Sequence, residues 1–584
     1  MDASYESFVS RPKSRLWWLV TMAILLGGLL VCWRVAEIHP SSLWDPAALA
    51  AVGTFVSHLF PPDLSLRFLR IVALAAGQTM AIAVVSTSIS AVLGLLLGFW
   101  ATPVLWESGV LLAGEPPGWW RFGQSSFSRL VRVVLGFLRA VPDLVWALLF
   151  VVAVGLGPLA GTLALAVSYT GVLGRVYGHL FEDVDPGSLE ALQAAGATRT
   201  QVFLRAIWPQ ASSNVLAYTL FSFECCVRAA AVLGFIGAGG IGYQINLSMR
   251  LFEYGQVLTL IVALLVMVAV TESGSRMLRR RLQPNGATGS RRSSLSVGAR
   301  RRFGFGKQLF MLTALFGAAA NLEATGFLSG RLGDAEMLTR IGGFVARMFP
   351  PNFEIEFLRS LLRPLVQTVA ISVIGTLMGI VTGAALALPA TSTFILSERE
   401  AAGRRIWIEQ AFRWSVYVST RLVLNALRSI PELVWVLICI LAVGLGPFAG
   451  TLAIGLHTGG VLGKLYAEII EETPVRPIEA MRAIGGRPLQ LLLYAVWPQA
   501  RPTLISYTIL RWEMNLRVST ILGLVGGGGL GQIIYNDVQL GFYSNLATLI
   551  ILVYLLVLAT DWVSHRWRAH SRVFQRELPG RPLR

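Results

Sequence analysis

The chain has 584 residues, 54% of them hydrophobic and only 14% charged, with a mean hydropathy of +0.63. A soluble chain of this length needs far more charge to cover its surface, so a soluble globular protein is excluded. The net charge of +17 is concentrated in residues 276–307, which contribute +10, and 565–584, which contribute +5; both flank apolar runs, the positive-inside pattern of a membrane protein and not that of a nucleic-acid arm.

In chain order, the first apolar run predicts a membrane span at about 16–36, preceded by Arg11, Lys13 and Arg15. No small-residue cleavage site follows it, so it reads as a retained helix and not a signal peptide. Further spans of roughly 20 apolar residues are expected at about 68–100, 130–154, 158–175, 212–236 and 256–275. A Gly155-Leu-Gly157-Pro158 turn separates the third from the fourth. After the basic stretch 276–307 the pattern resumes, with spans expected at about 308–328, 357–389, 419–443, 447–464, 501–525 and 545–564. The four cysteines, Cys32, Cys225, Cys226 and Cys439, lie in apolar runs without a CxxC pair and read as packing residues.

The second half repeats the first at a constant offset of 289 residues. Arg139 maps onto Arg428, Gln78-Thr79 onto Gln367-Thr368, Trp208-Pro-Gln onto Trp497-Pro-Gln, and Gly444-Leu-Gly446-Pro447 is a second copy of the glycine-proline turn. Between Arg139 and Thr162, 15 of 24 positions are identical to their partners, which makes this a duplication and not a chance similarity of apolar segments. Because basic ends flank each half, each crosses the membrane an even number of times in the same orientation. The expected architecture is an all-α polytopic membrane protein of two tandem pseudo-symmetric six-helix bundles. It divides into a first unit (1–275), a cytoplasmic linker (276–307), a second unit (308–564) and a cytoplasmic tail (565–584).

On that topology the segments 176–211 and 465–500 are cytoplasmic. They contain SLEALQAAGATRTQVFLRAIWPQA from Ser188 and PIEAMRAIGGRPLQLLLYAVWPQA from Pro477. Each has a Glu-Ala pair six residues before a glycine and nineteen before a proline: Glu190, Ala191 and Gly196 in one, Glu479, Ala480 and Gly485 in the other. An acidic helix start is favoured by the helix dipole, and the glycine permits a turn into a second short helix.

These segments resemble the EAA coupling loop of binding-protein-dependent ABC importer permeases. RAVPDLVW, GVLGRVYGHLFEDV and FECCVRAAAVLGFIGAGGIG are similar to the phosphonate-importer permease family, and RSIPELVW, GKLYAEIIEE and RWEMNLRVSTILGLVGGGGLG more so. The likeness covers about 60–275 and 349–564, and it departs from the usual pattern in fusing two subunits into one chain. The resemblance implies a MetI-like permease of the bacterial inner membrane with both termini cytoplasmic. It implies two separate ABC ATPase subunits, which bind ATP and Mg and dock on the EAA loops. It also implies an extracytoplasmic binding protein that delivers a phosphonate, phosphite or phosphate. Neither GGVLGKLY nor GFGKQ completes the phosphate-binding GxxxxGK[ST] pattern, so the chain itself is expected to hold no cofactor and not to be an enzyme. An importer of another small solute and an ion-coupled secondary transporter remain open alternatives.

Candidate pathway residues are those polar groups that fall inside spans, where they are costly. Glu224 and Arg228, like Glu513 and Arg517, stand four apart on one helix face and can pair; an anion-attracting ring near the outer side and a buried structural salt bridge are both open. Arg139 and Arg428 precede prolines that free a backbone carbonyl. Gln78, Thr79, Gln367 and Thr368 offer hydrogen bonds to oxyanions or to neighbouring helices. The runs GFIGAGGIG and GLVGGGGLG match a dinucleotide-binding spacing, but no strand precedes them. Gly237, Gly239, Gly240, Gly526, Gly528 and Gly529 therefore read as tight packing at an outer gate, at the non-cytoplasmic end of the fifth span.

Overall fold

The computed structural model describes residues 15–106, 118–282, 335–392 and 404–576. The span expected at 308–328, most of the basic linker and the end of the tail lie outside the described residues. All regular structure among the described residues is helical.

In the first repeat the principal helices are α1 (Arg15–Val35), α2 (Pro46–Leu59), α3 (Leu66–Ala101), α4 (Gly118–Ala140), α5 (Asp143–Val154) and α6 (Pro158–Glu182). They are followed by α7 (Pro186–Ala194), α8 (Trp208–Leu233), α9 (Gly240–Arg250) and α10 (Tyr254–Leu282). The second contributes α11 (Ala335–Met348), α12 (Leu362–Ala387), α13 (Arg404–Ser429), α14 (Glu432–Val443) and α15 (Pro447–Glu471). It ends with α16 (Val475–Ala483), α17 (Trp497–Leu522), α18 (Leu530–Leu540) and α19 (Tyr543–Arg576). Among the described residues, six helices, or helices joined to the short turns beside them, are long and apolar enough to cross a membrane, and three bent pairs would each add one.

Two compact units result, and they cut across the sequence repeats: one gathers 1–52, 353–536 and 559–584, the other 53–352 and 537–558. In the first of these, Ala36 and Ile38 at the end of α1 pack with Ala370 and Ile374 of α12 and Phe448 of α15. The N-terminal helix thus seals an apolar face of the second repeat. In the other unit α3 lies along α6, where Gly94 and Gly98 meet Leu173, Gly174 and Tyr177 closely enough that a Cβ at Gly98 would stand 2.9 Å from the Gly174 carbonyl oxygen. Small residues let the two backbones approach where no hydrophobic force drives helices together. Tyr177 then ties α6 to α8 through Thr219 (2.6 Å), and Tyr466 ties α15 to α17 through Thr508 at the same distance.

The third expected span is not one helix. It breaks at Pro142 into α4 and α5, bent by 88°, and its partner breaks at Pro431 into α13 and α14, bent by 97°. Proline lacks the N–H that would continue the ladder and pushes its predecessor out of the helical region. The Trp146 indole donates to the Leu138 carbonyl (3.3 Å) and Trp435 to that of Leu427 (3.1 Å), so each corner is bridged by a side chain. The fifth span is also longer than expected. In the second repeat residues 491–525 and 530–540 form one apolar element bent by 44° around the glycine run.

Candidate functional site

In the first repeat the span 199–236 ends at the glycine run, whereas in the second the run lies at the bend of a longer apolar element. An 11-residue helix, α9 or α18, follows each of them, adding about 16 Å of helix before the next turn. Gln78 is the thirteenth residue of α3, about 18 Å from its start, consistent with the same depth. There Gln78 Oε1 accepts from the Gly240 N–H (2.8 Å) and Thr79 Oγ1 from the Ile241 N–H (2.9 Å). Gln367 and Thr368 accept from Gly529 (3.0 Å) and Leu530 (2.9 Å) in the same way. These four side chains cap the orphan donors that open α9 and α18. The Gly157 and Gly446 N–H groups in turn donate to the carbonyls of Gly237 and Gly526, both at 3.0 Å.

Gly237, Gly239, Gly240, Gly526, Gly528 and Gly529 all have positive φ, between +74° and +100°. At Gly240 and Gly529 there is no room for a side chain either: a Cβ would fall 2.3 Å from Thr79 Oγ1 and 2.6 Å from Thr368 Oγ1. The run is a knot of backbone and not a cradle, which disposes of the dinucleotide spacing.

The charged pairs differ from expectation in the first repeat. Glu224 does not pair with Arg228; its Oε1 lies 2.8 Å from an Arg279 Nη2 on α10, a residue that sequence reasoning assigned to the linker. Arg228 instead contacts the Cys225 sulfur at 3.6 Å. In the second repeat Glu513 does meet Arg517 (2.7 Å), and the network extends to Asp561 (3.0 Å from Arg517), Ser564 and Arg568 (2.9 and 3.3 Å from Glu513 Oε2). Asp561, Ser564 and Arg568 are the 289-residue partners of Glu272, Ser275 and Arg279. Both glutamates are buried. Their partners lie in the C-terminal part of α10 and of α19, the parts of those helices that lead into the basic segments. Sequence spacing along α8 alone gave no view of the helix that supplies these partners.

Arg139 and Arg428 sit half-buried in the last turns of α4 and α13, and Arg428 Nε donates to Asn425 Oδ1 at 3.2 Å. Just past the second corner is a group that the sequence did not single out: Glu432 meets His457 at 3.1 Å and Arg511 at 3.4 Å.

The two EAA segments fold alike. Just past the ends of α7 and α16 stand Gly196 (φ +77°) and Gly485 (φ +78°), and the chain then passes through a π-helical segment, Phe203–Ile207 or Leu491–Val496, into α8 or α17. Glu190, Ala191, Glu479 and Ala480 are exposed, while Leu189 and Ile478 beside them are buried. Neither glutamate is at its helix start: each is the fifth of nine residues and neither first turn carries an acid. The dipole argument for these acids fails, because Pro186 and Pro474-Val475 begin the helices a turn earlier. What remains is a glutamate offered outward from a helix anchored by its apolar neighbour.

Comparison with known proteins places this geometry. Residues 108–284 and 406–567 both match the family described as binding-protein-dependent transport system inner membrane component. The Phosphate-import permease protein PhnE of Mycolicibacterium smegmatis is 32% identical over 438 residues, covering 74% of this chain and 76% of that one. The Phosphite transport system permease protein PtxC of Stutzerimonas stutzeri is 35% identical over 281 residues, 47% of this chain and 93% of the relative. A solved chain of the MetNI methionine ABC transporter, in an inward-facing conformation, aligns over 38% of this chain and 99% of its own length at 22% identity and a TM-score of 0.32. With two matched regions that together span more than half of its length, this chain belongs to the family of inner membrane components of binding-protein-dependent transport systems.

Proposed function

We propose that the chain is a fused permease for a phosphorus oxyanion, namely phosphate, phosphite or a phosphonate, carried by an ATP-driven importer. In this reading 1–275 and 308–564 are the two permease units, joined and followed by the cytoplasmic segments 276–307 and 565–584. Two ABC ATPase subunits, which hold ATP and Mg, grip the loops around Glu190 and Glu479. An extracytoplasmic binding protein supplies the cargo at the opposite face. The observation that carries the reading is the duplicated loop: two exposed glutamate-bearing helices of equal length, each followed by a positive-φ glycine turn and then by a second segment, 199–207 or 488–496, that leads straight into a membrane helix. A force on α7 or α16 reaches α8 or α17 through that turn and segment. The cargo class is supported by the relatives, one named for phosphate import and one for phosphite transport. The glycine knots and their Gln-Thr caps support the path as broken-helix joints at depth, where irregular backbone is tolerated only when satisfied by protein.

The test is cargo-stimulated ATP hydrolysis and uptake by the reconstituted complex with inorganic phosphate, phosphite and methylphosphonate. At least one is expected to stimulate both. The Glu190→Ala, Glu479→Ala double variant is expected to retain basal hydrolysis and to lose uptake by tenfold or more. Unchanged coupling in that variant would refute the docking role.

A further inference from the structure

One side of α8 is left partly open by its own bundle, and it is polar. Asn214, Tyr218, Phe221, Cys225 and Arg228 follow one another at alternating spacings of four and three residues, which keeps all five on one helix face. Asn214 and Phe221 are exposed and the other three half-buried, whereas Val215, Ser222, Cys226 and Val227 are buried. The stripe runs about 21 Å along the helix. Surfaces of the same unit that suit lipid look different: α3 exposes Leu74, Val92 and Leu96, and α10 exposes Val262, Val266 and Val270. An amide, a hydroxyl, a thiol and a guanidinium in line along an open face suit a water-filled path and not acyl chains.

Where the stripe begins, the last turn of α6, the first half of α8 and the C-terminal part of α10 enclose a groove of about 320 Å³, lined by Leu180, Asn214, Ala217, Tyr218, Phe221 and Arg279. Half of this lining is apolar and half carries hydrogen-bond donors. Neither the Asn214 amide nor the Tyr218 hydroxyl has a hydrogen-bond partner among the described residues. The Tyr218 ring rests on Phe221, with centroids 5.8 Å apart. Arg279 is held at Nη2 by Glu224 (2.8 Å), and a guanidinium has further N–H groups to offer. The Glu224–Arg279 pair is neutral as a whole, so the groove is defined by its donors and not by net charge.

We propose that this groove is the inner release subsite for an organophosphonate. Asn214, Tyr218 and Arg279 donate to the phosphoryl oxygens, while Leu180, Ala217 and Phe221 receive the carbon substituent. This rests on the phosphorus-oxyanion reading above, with 176–211 cytoplasmic, and narrows its cargo. Inorganic phosphate would engage the donors and leave the apolar wall bare; a phosphonate satisfies both, in the mixed lining usual for small-molecule sites. The guanidinium fork suits a tetrahedral oxyanion. Sharing Arg279 with Glu224 keeps the hold weak, as a site that cargo must leave requires. Because α8 continues from the loop segment 199–207, movement of that loop shifts Asn214 and Tyr218 against Leu180 and Arg279 on the neighbouring helices.

The experiment measures equilibrium binding of radiolabelled phenylphosphonate and of inorganic phosphate to the full chain with its ATPase subunits in lipid nanodiscs, without the binding protein. Phenylphosphonate is expected to bind about tenfold more tightly than phosphate, because only it covers the apolar wall. Tyr218→Phe and Asn214→Ala are each expected to weaken both ligands by about tenfold, as loss of a hydrogen bond to a charged group does. Phe221→Ala is expected to weaken phenylphosphonate by about tenfold and phosphate by less than about twofold. Binding unchanged in Tyr218→Phe and Asn214→Ala, or weakened equally for both ligands in Phe221→Ala, overturns the proposal. If Phe221→Ala fails to assemble, Tyr218→Phe and Asn214→Ala decide. A lipid occupant also overturns it, and shows as anionic phospholipid that co-purifies with the wild type and is lost in Tyr218→Phe and Asn214→Ala while phenylphosphonate binding stays the same. Failure of the cargo reading shows separately, as a wild-type complex that with its binding protein takes up neither phosphate, phosphite nor methylphosphonate.

Discussion

In the first repeat Gln78 and Thr79 reach across 162 residues of chain to cap Gly240 and Ile241; in the second, Gln367 and Thr368 reach across the same 162 residues to cap Gly529 and Leu530. The corner indoles, the Tyr–Thr ties and the glycine-to-glycine bonds are duplicated with similar fidelity. Charged groups are duplicated only in part: Glu224–Arg279 and Glu513–Arg568 correspond, but Glu513 also takes Arg517 where Arg228 meets Cys225, and the positions of His457 and Glu432 hold Ser168 and Asp143 in the other copy. Duplicated elements are those in which a backbone donor or acceptor at depth must be satisfied. Divergent ones are ionic, where the two copies are free to take different roles.

The backbone knots give the largest expected effect and should fail alike. A Cβ at Gly242 would stand 1.8 Å from the Ala231 carbonyl oxygen, and one at Gly531 2.3 Å from that of Thr520. These contacts are to helix backbone, which cannot yield as a flexible side chain would. Gly242→Val and Gly531→Val are each expected to abolish assembled protein, measured as the monodisperse fraction after detergent extraction. If one repeat tolerated the change and the other did not, the two knots would not be equivalent.

The charged clusters should fail unequally. Glu513→Gln removes the charge shared by Arg517 and Arg568 and one of the two oxygens that accept from Arg517, Arg568 and Ser564, and breaking a buried pair in this way costs about 3–5 kcal/mol. Glu224→Gln, with Arg279 as the principal partner, should lower the thermal midpoint less. Both shifts can be read from unfolding in the same detergent. Equal shifts would mean that the extended network around Glu513 adds nothing to a single pair.

A smaller asymmetry lies in the loops. Ile484, Leu489 and Tyr494 are 78%, 66% and 72% exposed, and the matching residues of the first loop are Ala195, Thr200 and Arg205. At these three positions one loop is apolar where the other is small or polar, although 188–211 and 477–500 each carry one glutamate and two arginines, so under the proposed docking they are not interchangeable handles. Burying an isoleucine is worth about 1.5–3 kcal/mol, so Ile484→Ser should weaken ATPase retention by roughly tenfold or more. Ala195→Ser should leave it nearly unchanged. Equal loss of retention in the two variants would remove the distinction.

Much of the frame was legible in the sequence, because duplication supplies its own control: a polar pair such as Gln78-Thr79 that recurs at a fixed offset in an apolar helix has a fixed task. What that task is was not legible, since the partner backbone lies 162 residues away. Hydropathy likewise did not reveal the corners at Pro142 and Pro431, because the apolar run continues through the bend. The partner of Glu224 was missed because Arg279 counts as a linker residue on charge alone, yet its helix runs to Leu282. The association of α1 with α12 had no local signal, because any apolar helix end can bury against any apolar face.

The smallest effect concerns a single helix cap and would make one repeat more like the other. In the first loop Thr198 and Gln201 form a reciprocal capping box: Thr198 Oγ1 accepts from the Gln201 N–H (3.4 Å) and Gln201 Oε1 from the Thr198 N–H (2.9 Å). In the second loop Gln490 Oε1 accepts from the Arg487 N–H (2.8 Å), but an arginine has no side-chain oxygen to return the bond. Half the motif is therefore already built at that position, with its backbone geometry in place. Arg487→Thr is expected to complete it and to stabilise the loop by about 0.5–1 kcal/mol. Thr198→Ala should cost a similar amount in the first loop. Amide hydrogen exchange of 488–492 and 199–203 in the intact complex reads both. Slower exchange at 488–492 in Arg487→Thr, with ATPase retention unaltered, would show that the difference between the two caps is local stability alone. Reduced retention would instead show that Arg487 is itself part of the docking surface, and would extend the ionic divergence of the repeats to their contact with the motor.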